Sequence, residues 1–171
     1  VSVVSAEALL VGSQVTIYGV MEGYLNRVVS MFMQQMSGLQ TDYYRDFNCD
    51  PIDVNTNGRW TAMYGTGGLI DLNTTQKVAE EQEKYVLLAI SQMWEALLFS
   101  TAADLWGAIP YSQAANPEYA EPKFDSQQDV HLAVLELVND AIENFKKGQT
   151  FASPTEYDFT YNADVDKWIA A

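Results

Sequence analysis

The chain has 171 residues, 48% hydrophobic, 12% aromatic and 19% charged, enough for about one domain with its own core. Its 4 Trp, 10 Tyr and 7 Phe exclude an intrinsically disordered chain, which lacks the apolar surface to offset its ordering entropy. With 23 acids against 9 bases the net charge is −14, a field that repels phosphate backbones and excludes nucleic acid as a partner.

Cys49 is the single cysteine, so there is neither an internal disulfide framework nor a thiolate zinc site. No charge-free apolar run reaches 18 residues, so no segment reads as a bilayer-spanning helix. Val1-Ser2-Val3-Val4 has no basic n-region and no cleavage site, hence no visible signal peptide. The chain opens in an apolar periodic stretch and stops at Lys167-Trp168-Ile169-Ala170-Ala171, a helical start without a stop signal. Both ends therefore read as cut, and the expectation is a piece of a longer protein.

Leu9, Leu10, Val11, Ile17 and Tyr18 give residues 5–18 a helical pattern weakened by Gly12. Leu25, Val28, Val29, Phe32, Met33 and Met36 place an amphipathic helix over Glu22–Met36, with Gly38 where a glycine would end it. Residues 39–58 show no sustained period and read as a long polar loop, after which Arg59–Tyr64 starts a short helix. The spacing predicts one long helix from about Thr75 to Ala103, apolar all round and so central and buried. Gly107, Pro110, Pro117 and Pro122 then mark an irregular connection. Asp125-Ser126 caps a helix that carries Val130, Val134, Leu137, Val138, Ala141, Ile142 and Phe145 on one face and stops at Lys146-Lys147-Gly148. A short alternation at Tyr157–Tyr161 is the one strand-like signal. The fold class is mainly α, in helix pairs joined by long irregular loops.

No motif for catalysis or metal binding stands out, and no catalytic residue, metal or cofactor is assigned. Gly65-Thr66-Gly67-Gly68 lacks the preceding strand and the lysine of a phosphate loop and reads as turn glycines. Asp53-Val54-Asn55-Thr56-Asn57-Gly58 matches the first half of a calcium loop, but its twelfth position is Tyr64 rather than a bidentate acid. Asx-turn chemistry accounts for the same residues, and calcium near Asp53 stays open at this level. His131, the lone histidine, has no triad or metal partner in the sequence and reads as a solvated or half-buried helix residue. Asp104 is the best single candidate for a glycosidase carboxylate; a cap on the backbone of the next turn is the better explanation.

The aromatics carry more. Tyr43, Tyr44, Phe47, Trp60 and Tyr64 are interleaved with Asp42, Arg45, Asn48, Asn55, Asn57 and Arg59. Sugar rings, with apolar C–H faces and a hydroxyl rim, bind flat aromatic faces flanked by polar groups. The candidate ligand-binding residues are Tyr43, Tyr44, Arg45 and Trp60. The competing reading is that Trp60 and Tyr64, at i and i+4, pack a short helix onto the core.

Asp104-Leu105-Trp106-Gly107-Ala108-Ile109-Pro110-Tyr111-Ser112-Gln113-Ala114 resembles the Asp-x-(Tyr/Trp)-Gly-x-(Ile/Val)-Pro-(Tyr/Phe) element of the SusD/RagB family of Bacteroidetes outer-membrane lipoproteins. Pro122-Lys123-Phe124-Asp125-Ser126-Gln127 with the Val130–Phe145 helix is a second block. Asp158-Phe159-Thr160-Tyr161 through Lys167-Trp168 is a third, so the resemblance covers about residues 76–171. Upstream it is looser, through Gln34-Gln35 and Arg59-Trp60-x-x-x-Tyr64. Asn162-Ala163-Asp164 departs from the glycine-containing turn of many members, and no lipid-bearing cysteine starts the chain.

The resemblance implies a mainly helical, tetratricopeptide-like fold. Residues 1–171 would then be the N-terminal part of a single SusD-like helical domain, with no internal boundary. It implies a non-enzymatic, surface-exposed lipoprotein of the cell outer membrane that captures an oligosaccharide or peptide and delivers it to a SusC-like TonB-dependent transporter. Membrane contact would come through a lipid anchor upstream of this chain. The Asp104–Ala114 element is expected to be structural rather than the binding site, with Gly107 supplying a left-handed or tight turn. The rival readings are a helical-repeat scaffold that binds only proteins and an all-α glycosidase.

Overall fold

In a computed structural model, which describes residues 5–39, 41–50, 53–149 and 156–171, the Ser5 hydroxyl accepts the Ala8 N–H at 3.3 Å and starts α1 (Ala6–Tyr18). That helix widens into a π-helical segment (Gly19–Leu25) and continues without a break as α2 (Asn26–Phe32). The expected helix over Glu22–Met36 is thus the far half of one rod, and it stops earlier. Gln34, at φ 57°, takes the left-handed position expected of Gly38. Its N–H donates to the Met31 carbonyl, and that of Gln35 to Ser30, both at 2.9 Å, the paired bonds of a Schellman turn.

The expected 39–58 loop is largely helix: α3 (Thr41–Phe47) and α4 (Asp53–Tyr64) occupy it. Polar side chains and Gly58 lower its intrinsic helix preference, but tertiary burial overrides such small propensities, and Met63 on α4 is fully buried. Asp53–Gly58 lies inside α4. A helical backbone aligns its carbonyls along the axis, so it wraps no calcium ion there. The predicted Thr75–Ala103 helix is two, α5 (Leu69–Glu81) and α6 (Tyr85–Trp106). Glu83 breaks it at φ 54°, while the Glu83 and Lys84 N–H groups donate to Glu80 and Ala79 at 3.1 and 2.8 Å.

The α6 helix is long and apolar enough to cross a membrane, yet 78% of its apolar window is buried within the helix packing. It packs most extensively on α7 (Gln127–Gly148) and next on α5, which also packs on α1. Leu10, Ile17, Leu72, Leu87, Ile90, Leu98, Phe99, Ile109 and Phe145 are wholly buried between them, each contributing about 1.5–3 kcal/mol of apolar transfer. Ser126 caps α7, accepting the Asp129 N–H at 3.1 Å, as the sequence indicates. Gly148 does not stop α7 but lies in its last turn. A Cβ there would stand 2.5 Å from a Val86 methyl, so glycine lets α7 close onto the start of α6.

The elbow between α6 and α7 turns on Gly107, at φ 74° and ψ −113°, a conformation open only to glycine. Ile109 and Asp125 exchange both backbone hydrogen bonds, at 3.1 and 2.9 Å. The buried Asp125 carboxylate accepts the Tyr111 N–H (3.1 Å), the Ser112 N–H (2.7 Å) and the Ser112 hydroxyl (2.9 Å), with the Lys123 ammonium at 3.1 Å. Burial pushes its pKa up, but these donors outweigh burial and hold it below the usual aspartate range.

Tyr157–Tyr161 forms turns, not a strand. Asp158 organises them, accepting backbone N–H groups from Thr160 and Ala163 at 2.9 and 2.8 Å and the Trp168 indole at 2.8 Å. Asn162 and Ala163, where the sequence departs from a glycine-containing turn, are both left-handed at φ 55°. Trp168 belongs to α8 (Val165–Ala170). Gln14, fully buried on α1, ties this segment down by donating to the Tyr157 carbonyl (2.6 Å) and accepting the Phe159 N–H (3.1 Å). The result is 68% helix, with no strand among the described residues, the mainly α class expected.

Two outcomes follow for stability. Gly107→Ala forces a side chain into a glycine-only conformation and costs about 1–3 kcal/mol in chemical unfolding. Because the Asp125 pKa is depressed in the folded state, its contribution is complete above about pH 3.9 and is lost as pH falls through the folded value. Asp125→Asn therefore lowers stability at pH 7 by about 2 kcal/mol, and the gap to the parent chain narrows below about pH 4.

Candidate functional site

The expected binding residues fall into two settings. On α3, Tyr43 is half-buried beneath the Arg27 guanidinium, 4.7 Å from its ring centroid. Arg27 also lies 5.4 Å from the Tyr24 ring, and Arg59 lies 4.9 Å from that same ring. Tyr43, Arg27, Tyr24 and Arg59 thus form one series of cation–π contacts, each worth about 0.5–1 kcal/mol or more where desolvated. Tyr44 and Arg45 project outward, Tyr44 61% exposed and Arg45 3.7 Å from Asp50. They are surface groups, held away from the aromatic core.

Trp60 sits on α4, next in sequence to Arg59, and packs onto the core, as the competing reading expects. Its ring is 5.1 Å from Tyr64 and 5.7 Å, edge-on, from Trp106. The contacts run on from Tyr64 to Phe99 at 5.4 Å and from Phe99 to Tyr111 at 5.0 Å. This aromatic chain anchors α4 to the core. Trp60 is nevertheless only half-buried, and it walls a cavity of about 390 Å³ with Thr61, Tyr64, Ile70, Pro110, Ala114 and Pro122. The lining is aromatic and apolar with two hydroxyls, those of Thr61 and Tyr64, the composition that accepts the C–H face of a ring.

Elbow residues supply much of that wall, although the sequence marked the Asp104–Ala114 element as structural. It is both. The Tyr64 hydroxyl donates to the Pro110 carbonyl at 2.7 Å, so the cavity and the elbow share a bond. Burial, and then the nearby Asp125 charge, push the Tyr64 pKa well above the usual phenol value, which keeps it a permanent donor. The signal for Pro110, Ala114 and Pro122 was absent from the sequence because small and imino residues carry no binding chemistry of their own; only their position beside Trp60 recruits them.

Among the described residues Asp104 caps no backbone N–H group. Its Oδ1 stands 3.1 Å from His131 Nε2 and accepts from Gln127 Nε2 at 3.5 Å, stitching the end of α6 to the start of α7. His131 is half-buried on α7, as expected. Deeper in the bundle, Glu95 of α6 is buried and accepts Gln76 Nε2 at 2.6 Å and the Tyr111 hydroxyl at 2.9 Å. Desolvation raises its pKa, against the lowering effect of those two donors. Among the described residues no group of three or more His, Cys, Asp or Glu side chains forms a metal site.

A model of the SusD-like family, described as starch-binding and associating with the outer membrane, matches residues 1–170. A solved structure of a SusD/RagB family protein from Bacteroides thetaiotaomicron is similar with TM-score 0.83 at 23% identity, a likeness of fold. The match covers 98% of this chain and 36% of that one, so the chain spans about a third of the length of that relative. No curated protein matches the chain in sequence.

Tyr64→Phe keeps the ring stack but removes the bond to Pro110. It is expected to lower stability by about 1 kcal/mol, measured by urea unfolding.

Proposed function

From the premise that this chain belongs to the SusD-like family, we propose that it captures an oligosaccharide at the cell surface and passes it to a SusC-like TonB-dependent transporter. In this reading the protein is not an enzyme. It is a lipoprotein of the outer membrane, held by an anchor upstream of residue 1, and a peptide is the alternative cargo. The family description, starch-binding and associating with the outer membrane, supports the class of ligand and the location. The observation that carries the reading is the Trp60 cavity, an aromatic-walled hollow beside the elbow in which no residue depends on charge for its contact.

Trp60 is the proposed platform. Tyr44, Arg45 and Tyr43 on α3 are the proposed outer contacts, reached by a ligand longer than the cavity. Exposed Tyr44 offers a ring face to solvent, and Arg45 offers donors to hydroxyl oxygens. The scaffold alternative differs in one respect: it leaves small ligands unbound.

Calorimetric titration of the intact protein with maltooligosaccharides, other oligosaccharides and a peptide pool tests this. Binding to at least one of them is expected, weakened at least about tenfold in Trp60→Ala, the loss of an aromatic face worth about 1.4 kcal/mol. Co-purification of a TonB-dependent barrel is the second expected result. The absence of both sugar or peptide binding and a co-purifying barrel would overturn the proposal.

A further inference from the structure

Away from Trp60, three helices turn polar stripes toward one trough of about 610 Å³, within the usual range of roughly 300–1,000 Å³ for small-molecule sites. Asn73, Gln76 and Glu80 line it from α5, Tyr85, Leu88 and Gln92 from α6, and Asp140, Asn144 and Lys147 from α7. On each helix the spacing is three, four or seven residues, which places them on one face. Because α6 packs on both neighbours, it forms the floor, and α5 and α7 form the walls. A stripe seven residues long runs about 10 Å.

The floor holds an unfilled donor. Gln92 is more than nine-tenths buried and accepts the Asn144 Nδ2–H on its own carbonyl at 3.0 Å. Its amide N–H groups have no acceptor among the described residues. Gln76 is held from behind, its amide N–H donated to buried Glu95 at 2.6 Å, which leaves its carbonyl as the atom available to a ligand. On the walls, Glu80 and Asp140 form no ion pair or hydrogen bond among the described residues. Lys147 lies 5.7 Å over the Tyr85 ring and donates to Asn144 at 3.4 Å.

We infer that this trough is a second binding site, for a neutral saccharide unit of one to three rings. Carboxamides both donate and accept, whereas carboxylates only accept. Vicinal hydroxyls meet both demands at once: each donates to Asp140 or Glu80 and accepts from Gln92. An extended peptide offers one N–H and one carbonyl per residue, fewer donors than this acceptor-rich wall requires, and net-neutral cargo suits walls that carry both signs of charge. Tyr85 and Leu88 supply the apolar strip for the C–H face. The inference rests on the proposed capture of carbohydrate and adds a seat that the Trp60 cavity does not share.

The intact protein, ¹⁵N-labelled at Gln and Asn, is titrated with glucose, galactose, maltose and maltotriose, and separately with trialanine. At least one sugar is expected to shift the side-chain amide signals of Gln76, Gln92 and Asn144. Asn73→Ala and Asp140→Ala, both at exposed wall positions, should each weaken that response at least tenfold, while Trp60→Ala leaves it intact. Amide signals unmoved by every sugar, or moved by trialanine alone, overturn the inference. A response confined to the Trp60 cavity sinks the trough and spares the proposed function; a response confined to the trough removes Trp60 as the platform and leaves both the trough and carbohydrate capture standing.

Discussion

The buried Asp125 carboxylate is the contact on which the rest of this molecule hangs. It gathers two backbone N–H groups, a hydroxyl and an ammonium within 3.1 Å, and its own backbone pairs with Ile109. An elbow of some twenty residues is thereby closed over its base, and closure dictates how α7 returns along α6. Their packing is the most extensive in the fold. A carboxylate is suited to this because it accepts several bonds at once and binds backbone donors more strongly than a neutral amide does. Tyr111 leaves the same turn with its hydroxyl on Glu95, and Pro110 receives Tyr64. One ion thus sets the elbow, the α4 attachment and the inner face of α6.

The acidic composition has a structural meaning beyond the surface field. Asp158 closes the turn before α8 by the same device, and Asp71 accepts the Gly67 N–H at 2.7 Å ahead of α5. Asp129 and Asp164 complete helix caps. Several acids therefore act as acceptors for the chain's own donors in place of glycine-rich or disulfide-bonded turns. The left-handed residues tell a parallel story. Gln34, Cys49 and Glu83 each end a helix at positive φ, where a side chain costs about 1–2 kcal/mol. Paired backbone bonds to the preceding turn compensate at each of them.

Glu95 ties the elbow to the polar trough. Its donors, Tyr111 and Gln76, stand behind the elbow and the polar trough respectively. Burial makes its charge unfavourable, so the helix that carries it retains a polar group at its centre for the sake of two neighbours. The exposed Tyr44 and the half-buried Trp60 differ for a related reason. Trp60 packs on Tyr64 and Trp106, whereas α3 turns Tyr44 outward.

How much of this was legible beforehand depends on whether the information was local. Periodicity placed α1 and α7, Ser126 announced its own cap, and Gly107 its own turn, because each is settled by neighbours within one helical turn. The order of the Trp106-Gly107, Lys123–Ser126 and Asp158–Tyr161 blocks carried the family and the mainly α class. The break at Glu83 was invisible, since no glycine or proline marks it and the Schellman bonds use backbone alone. Arg59–Tyr64 read as helix, but the first half of α4 was hidden under low propensity, and the burial of Met63 holds the whole helix in place. Gly148 looked like a stop signal because its true reason, a Val86 methyl 2.5 Å from where a Cβ would stand, lies sixty residues away in the chain. Local patterns on their own determine which segments coil and where strong caps begin them. Only the packed structure decided where helices end, which aromatics face a hollow and which polar stripes meet across α6, because those outcomes depend on contacts between residues far apart in sequence.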